Sequence, residues 1–497
     1  MTFDALFAGV SNLAAIENVV ALVVGLAVGV IAGAIPGMSA SMAVALTLPF
    51  TFTLTPITGI LLLLGVYKGG IFGGSIPAIL IKTPGTPASS ATVLDGYPMA
   101  EKGQASKALS MALWASCTAD LISNLALIFF AAWLASFALQ FGPPEFFTLI
   151  FFSLTIIAGV SGDSLSKGAV SAILGLLLAT VGLDLVYGTE RFTFGSPDLM
   201  AGLNFIPVLI GLFAIPEILV FVLYRDVSVG KTRSVTGLGI SLSEYKRCFK
   251  SIFRGSLIGV FLGAVPGIGA APSAFLSYSE ARRTSPNKNN FGKGELEGVA
   301  ASEAGNNGVA GATLIPLLAL GIPGDITTAI IIGAFMIHGL TPGPIMFFQN
   351  TDIIYTLFAG LMLSSVFLLA IGYGAIKVFK YIAHVPKTIL MPCVLVLCVY
   401  GGYAVNNSVF DVGVMFLMGG LGFVMYKFDI PAAPFVIAFI LGPLFEDNFR
   451  QAMLMSGGDF AILLRSPITW FFWLATLVTL VALTGIWRRA TNLLRKG

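Results

Sequence analysis

The residues best placed to do chemistry in this chain are small polar side chains beside Pro-Gly breaks. Thr83, Pro84, Gly85, Thr86 and Ser89 stand together in IKTPGTPASSA, and Pro323, Gly324, Asp325 and Thr327 in GIPGDITTA. Pro36, Gly37 and Ser39 form a similar group in AIPGMSA, and Pro266, Gly267 and Gly269 in AVPGIGA. A helix interrupted at Pro-Gly frees the N–H groups at the start of its next half. These carry a partial positive charge, and glycine lets a carboxylate approach them closely. Asn306 and Asn307 of EAGNNGVAG add amide donors, and Lys82 stands directly before Thr83. All of these are candidate substrate-binding residues. Carbonyls freed by the same breaks can hold a sodium ion, with Glu303, Asn306, Asn307 and Asp325 as coupling-ion candidates.

Covalent catalysis lacks its parts. Only two histidines occur, His338 and His384, with no His-Glu-x-x-His, no base placed near Ser161 and no P-loop. Cys117, Cys248, Cys393 and Cys398 lack paired metal-ligand spacing and read as packing residues. The chain reads as no enzyme, and no cofactor is expected beyond a sodium ion or proton as coupling ion.

The elements that must carry these residues are membrane helices. Hydrophobic residues make up 57% of the 497 and charged ones 10%, with a mean hydropathy of +0.93. Such a balance belongs to a lipid bilayer rather than to water. Charge-free stretches run over 18–67, 121–144, 255–279, 353–376, 388–410 and 466–487. Each can supply the roughly 20 residues of a spanning helix. Gly25, Gly29, Gly33 and Gly37 form a ladder that Gly255, Gly259, Gly263 and Gly267 repeat at an offset of 255 − 25 = 230. Either ladder alone is explained by close helix packing. A second pair of signatures, Pro77 with Pro84-Gly85 and Pro316 with Pro323-Gly324, repeats at 316 − 77 = 239. The polar stretch 282–294 can absorb the extra nine residues as a loop. Duplicated broken helices point to a binding site at the interface of two repeats, and the flanking Ser, Thr and Asn favour that reading over packing.

Charge orients the repeats, and the net charge of +3 speaks for topology rather than for a nucleic-acid partner. Arg225, Lys231, Arg233, Lys246, Arg247, Lys250 and Arg254 mark the central segment as cytoplasmic, and Arg488, Arg489, Arg495 and Lys496 mark the C-terminal tail likewise. The first twenty residues carry Asp4 and Glu17 without Lys or Arg, which places the N-terminus outside and argues against a cleaved signal peptide. The expected fold is an all-α polytopic membrane protein of two inverted-topology repeats with broken or re-entrant helices, plus one extra C-terminal transmembrane helix. Its divisions are a periplasmic segment 1–16, a first repeat 17–224, a basic cytoplasmic linker 225–250, a second repeat 251–449, a periplasmic segment 450–466, and the extra helix with its tail, 467–497.

GAIPGMSA with GGSIPAILIKTPGTPASSATVLDGYPMA, and GAVPGIGA with EAGNNGVAGATLIPLLALGIPGD and GLTPGPIMF, resemble the large membrane subunit of tripartite tricarboxylate transporters, the TctA-type permease. The resemblance spans nearly the whole chain. It implies a bacterial inner-membrane permease that works with a small TctB-like membrane subunit and a periplasmic TctC-like solute-binding protein. It also implies import of citrate or another carboxylate, driven by a sodium or proton gradient. An anion channel, or a carboxylate transporter without a binding protein, is the alternative, since broken helices also line pores.

Five charged or titratable residues carry further expectations. Lys82 and Asp325 occupy opposed hairpin tips and are expected to form an ion pair or to contact substrate or cation. Asp95 and Lys68 are expected at the membrane interface, where long side chains snorkel. His338 is expected to be a packing residue.

Overall fold

The computed structural model describes residues 3–160, 164–184, 187–224, 239–382 and 387–484. Arg225, Lys231, Arg233, Arg488, Arg489, Arg495, Lys496, Ser161 and His384 lie outside the described residues. Within them the chain is almost wholly helical, with one two-residue antiparallel pairing of Gly182–Leu183 with Glu190–Arg191. Among the described residues, ten helices are long and apolar enough to cross a membrane, from Ile16–Ala34 through Pro467–Thr484. This is an all-α polytopic membrane protein.

The glycine ladders explain the tightest packing. Gly25, Gly29 and Gly33 on helix Ile16–Ala34 face the carbonyl oxygens of Leu62, Val66 and Gly70 on helix Pro56–Gly73, where a Cβ would collide. Gly65, Gly69 and Gly73 return the contact from the other side. In the second half, Gly255, Gly259 and Gly263 on Leu242–Gly263 press onto Ala301, Gly308 and Ala312 of Leu296–Ala312. Such bare faces let backbones approach where lipid provides no hydrophobic drive between helices.

These contacts bury the two broken helices at the centre. Helix Pro56–Gly73 breaks at Gly74 and resumes as Ser75–Ile81, and Leu296–Ala312 breaks at Thr313 and resumes as Leu314–Leu320. Around them stand long apolar helices, including Ala105–Ala138, Thr351–Ile382 and Ala432–Ser456. Helix Pro467–Thr484 packs outside, where Phe472 meets Phe141 edge-on with centroids 6.0 Å apart.

Candidate functional site

Each half builds the same hairpin from unlike residues. The short helix Ser75–Ile81 ends at Lys82 in the left-handed conformation, φ 61 and ψ 20, and Leu314–Leu320 ends at Gly321 with φ 72 and ψ 18. Past each end a backbone N–H returns to a carbonyl six residues earlier, Thr83 to Pro77 at 3.3 Å and Ile322 to Pro316 at 3.2 Å. That closure satisfies carbonyls the helix end would otherwise orphan. The next helical segment is capped by Thr86, whose hydroxyl accepts the Ser89 N–H at 3.3 Å, and by Asp325, whose Oδ1 accepts the Thr328 N–H at 2.7 Å. Lys82 with Gly321, Thr86 with Asp325, and Ser89 with Thr328 all keep the offset of 239 residues (321 − 82).

The ladder helices end with a matching turn. Gly37 and Gly267 adopt φ 91 and 85, which a residue with a Cβ rarely takes. Ser39 then caps Ala40–Thr47, accepting the Met42 N–H at 3.1 Å, and Gly269 occupies the same place before Ala270–Thr284. The turn in the second half is tied to the hairpin by a hydrogen bond from Gly267 N–H to the Gly324 carbonyl, 2.8 Å.

All four caps open on one cavity of about 450 Å³. Ser39, Thr86, Gly267, Gly269, Asn306, Asp325 and Thr327 line it, together with Tyr67, Ser41 and an apolar wall that includes Ile71, Val160 and Ile437. Tyr67 donates its hydroxyl hydrogen bond to Asp325 Oδ2 at 3.0 Å and lies 3.1 Å from Thr313 Oγ1. Asn306 is 1% exposed, and its side-chain Nδ2 has no hydrogen-bond partner among the described residues. Helix N-termini converging on a largely apolar cavity present N–H groups and positive dipole ends, an arrangement that favours a bound anion.

The other candidates stand behind this wall. Ser89 is buried and bonded to Thr86 at 2.8 Å. Gly85 and Gly324 are the points where the hairpin arms touch: a Cβ would meet Gly74 Cα or Thr313 Cα at 2.7 Å. Pro36, Pro84, Pro266 and Pro323 shape the turns and do not line the cavity, and Thr83 is exposed. Glu303 is fully buried one turn before Asn306 and Asn307. Its carboxylate accepts from Thr92, from Ser116 at 3.0 Å and from Asn307 at 3.4 Å, with no cationic partner among the described residues.

Three expectations about charges need correction. Lys82 makes no ion pair with Asp325: it is exposed and its ammonium lies 5.6 Å from the centre of the Tyr97 ring, while Thr328 and Tyr67 occupy the Asp325 carboxylate. The left-handed cap turns the long side chain away from the interior, where an ammonium would be costly. Lys68 is not interfacial. It is 1% exposed and meets Asp120 at 2.9 Å, Asn124 at 2.9 Å, Ser364 at 3.0 Å and the Leu361 carbonyl at 3.2 Å. Asp95 is likewise fully buried, accepting from Tyr278 at 2.9 Å and from the Gly294 and Glu295 N–H groups at 2.7 and 2.8 Å. His338 packs half-buried against Gly59 and Thr51 at the end of helix Ile326–Ile337.

Sequence reasoning missed Tyr67 and a polar seam on helix Ala105–Ala138. Ser116, Asp120, Ser123 and Asn124 share one face of that helix and reach both broken helices. Ser116 holds Glu303 and Asn307, Asp120 and Asn124 hold Lys68, and Ser123 donates to the Gly308 carbonyl while accepting the Ala312 N–H. Their helical spacing within an apolar run was the available signal.

Residues 19–437 match the family model described as the tripartite tricarboxylate transporter TctA family. An Agrobacterium vitis protein described as an uncharacterized 52.8 kDa protein in the TAR-I ttuC' 3' region is 38% identical over 424 residues, 85% of this chain and 84% of that protein. A second A. vitis protein, described as an uncharacterized protein in the TAR-II ttuC' 3' region, is 35% identical over 210 residues, 42% of this chain and 87% of that protein. No solved structure matches.

Proposed function

The chain belongs to the tripartite tricarboxylate transporter TctA family, and from that premise we propose that it is an ion-gradient-driven permease subunit that takes a tricarboxylate such as citrate, or a related carboxylate, through the cavity between its four helix caps. The convergence of those caps carries the reading. In a low-dielectric interior, fixed N–H groups stabilise a carboxylate without a buried lysine or arginine, and none among the described residues lines the cavity. The cap-for-cap correspondence supports two repeats with the site at their interface, and the charge pattern supports their inversion. Under this proposal the N-terminus is periplasmic and the C-terminus cytoplasmic in a bacterial inner membrane. A periplasmic binding protein delivers substrate, and a small membrane subunit completes the system. Glu303 serves as the coupling carboxylate, because it is buried without a counter-charge among the described residues and stands one turn from the cavity-lining Asn306.

Reconstitution tests the proposal. Purified protein in proteoliposomes, supplied with both partner subunits, should accumulate a carboxylate only when an inward sodium or proton gradient is imposed. Uptake that ignores both gradients and runs far above carrier rates would instead establish a channel.

A further inference from the structure

Pseudo-symmetry makes the two poles of the cavity comparable, and they are chemically opposite. Tyr67 and Asn306 occupy equivalent places, as do Thr86 and Asp325, both at an offset of 239 (306 − 67). The contact between Tyr67 and Asp325 therefore corresponds to one between Asn306 and Thr86. Tyrosine is long enough to make its contact at 3.0 Å. Asparagine is shorter: Asn306 lines the cavity, and its Nδ2 is buried with no hydrogen-bond partner among the described residues. The Thr86 pole thus keeps unspent amide hydrogens beside neutral helix caps.

At the other pole the unspent group is an acceptor. Asp325 Oδ1 takes the Thr328 N–H at 2.7 Å and lies 2.8 Å from the Thr328 hydroxyl, whereas the one side chain among the described residues that donates to Oδ2 is Tyr67. A carboxylate oxygen has room for a second donor, so Oδ2 retains an acceptor site on a residue that lines the cavity. A ligand carrying carboxylates alone would place negative charge against Asp325, and no cation among the described residues pairs with that group.

Resting on the carboxylate reading of this cavity, we propose that Asp325 is a specificity-determining residue: it accepts a hydrogen bond from a hydroxyl or ammonium group of the substrate, whose carboxylate sits toward Thr86 and accepts from Asn306. The preferred ligand is a carboxylate bearing a donor, held in one orientation.

Two ligand series test this with the intact protein in nanodiscs, read as apparent Kd with and without sodium. Succinate, malate and aspartate differ by the absence of a donor, a hydroxyl and an ammonium, and tricarballylate and citrate differ by one hydroxyl. The donor-bearing member of at least one series should bind about tenfold more tightly, the size expected for one hydrogen bond to a charged group. Preference for malate or citrate assigns the donor as hydroxyl, and preference for aspartate assigns it as ammonium. Asp325→Thr reproduces the residue at the Thr86 pole and keeps a capping hydroxyl, so the preference should fall to within about twofold while donor-free ligands still bind. Should that variant misfold, Asp325→Asn keeps shape and cap with a weaker acceptor and should also reduce the ratio. Equal binding within both series, or a preference that survives both variants, overturns this inference and leaves the transport reading intact. Loss of sodium dependence in Asp325→Thr with the ligand preference unchanged would make Asp325 a cation ligand and also overturn it. Absence of binding by every carboxylate, with and without sodium, overturns both.

Discussion

Replacing Asp120 with Leu should be among the most damaging single changes in this protein. The Lys68 and Asp120 side chains are 1% and 2% exposed and meet at 2.9 Å, joining helices Pro56–Gly73 and Ala105–Ala138, while Lys68 also reaches Leu361 and Ser364 on Thr351–Ile382. Removing the carboxylate leaves an ammonium with neutral acceptors and no counter-charge, a loss of about 3–5 kcal/mol. Lys68→Met leaves the opposite charge, at similar cost. The double variant Lys68→Met with Asp120→Leu buries no charge. The Leu361 carbonyl keeps Asn124 at 2.9 Å and Ser364 at 2.6 Å, and the Ser365 hydroxyl, which loses Asp120, can turn to that carbonyl at 3.4 Å, so the main orphan is Asn124 Oδ1, worth about 1–3 kcal/mol. The double variant should therefore be more stable than either single by about 2 kcal/mol, near a thirtyfold difference in unfolding equilibrium. Reversible unfolding in mixed micelles, followed by helix signal, measures all four corners of the cycle. Additive single effects, or a double variant worse than both singles, would refute the reasoning.

Lys82 holds a left-handed conformation that costs a side-chain residue about 1 kcal/mol, so Lys82→Gly, the residue its counterpart Gly321 already has, should stabilise the fold by about that amount in the same unfolding assay. Gly85→Val and Gly324→Val drive methyl groups into the backbone at Gly74 and Thr313, and uptake per inserted molecule should collapse while membrane insertion persists; normal uptake would free these glycines of any role. Glu303→Gln keeps the hydrogen-bonding shape without the charge, so substrate exchange between equal pools should continue while gradient-driven accumulation is lost. Cysteines at positions 240 and 458 should label from the cytoplasmic and periplasmic faces respectively, and labelling from one side would refute the inverted arrangement.

Legibility followed chemical identity. The Pro-Gly pairs and glycine ladders could be aligned by eye because both copies kept the same residue, and they located the breaks. The same register continues through Tyr67 with Asn306, Gly74 with Thr313 and Thr86 with Asp325, pairs that share backbone geometry while their side chains differ. Lys68 and Asp95 were placed at the interface because their partners are remote in sequence, Asp120 at 52 positions and Gly294 at 199. Burial of a charge is a statement about its partners, and local composition does not name them. The expected pairing of Lys82 with Asp325 failed for a related reason: apposition of two chain segments does not fix side-chain direction, which the backbone conformation at Lys82 sets.

The four caps also bear on how such a cavity changes over generations. An N-cap position accepts Ser, Thr, Asp, Asn or Gly at a difference of a few tenths to about 1 kcal/mol, because each leaves the helix start usable. Ser39, Thr86, Gly269 and Asp325 sample four of those five types on one backbone plan. Single-codon drift at any cap can therefore alter the charge of the chamber by one unit while the packed ladders and hairpin joints stay as they are. A lineage can explore new cargo one mutation at a time without first passing through an unstable ancestor.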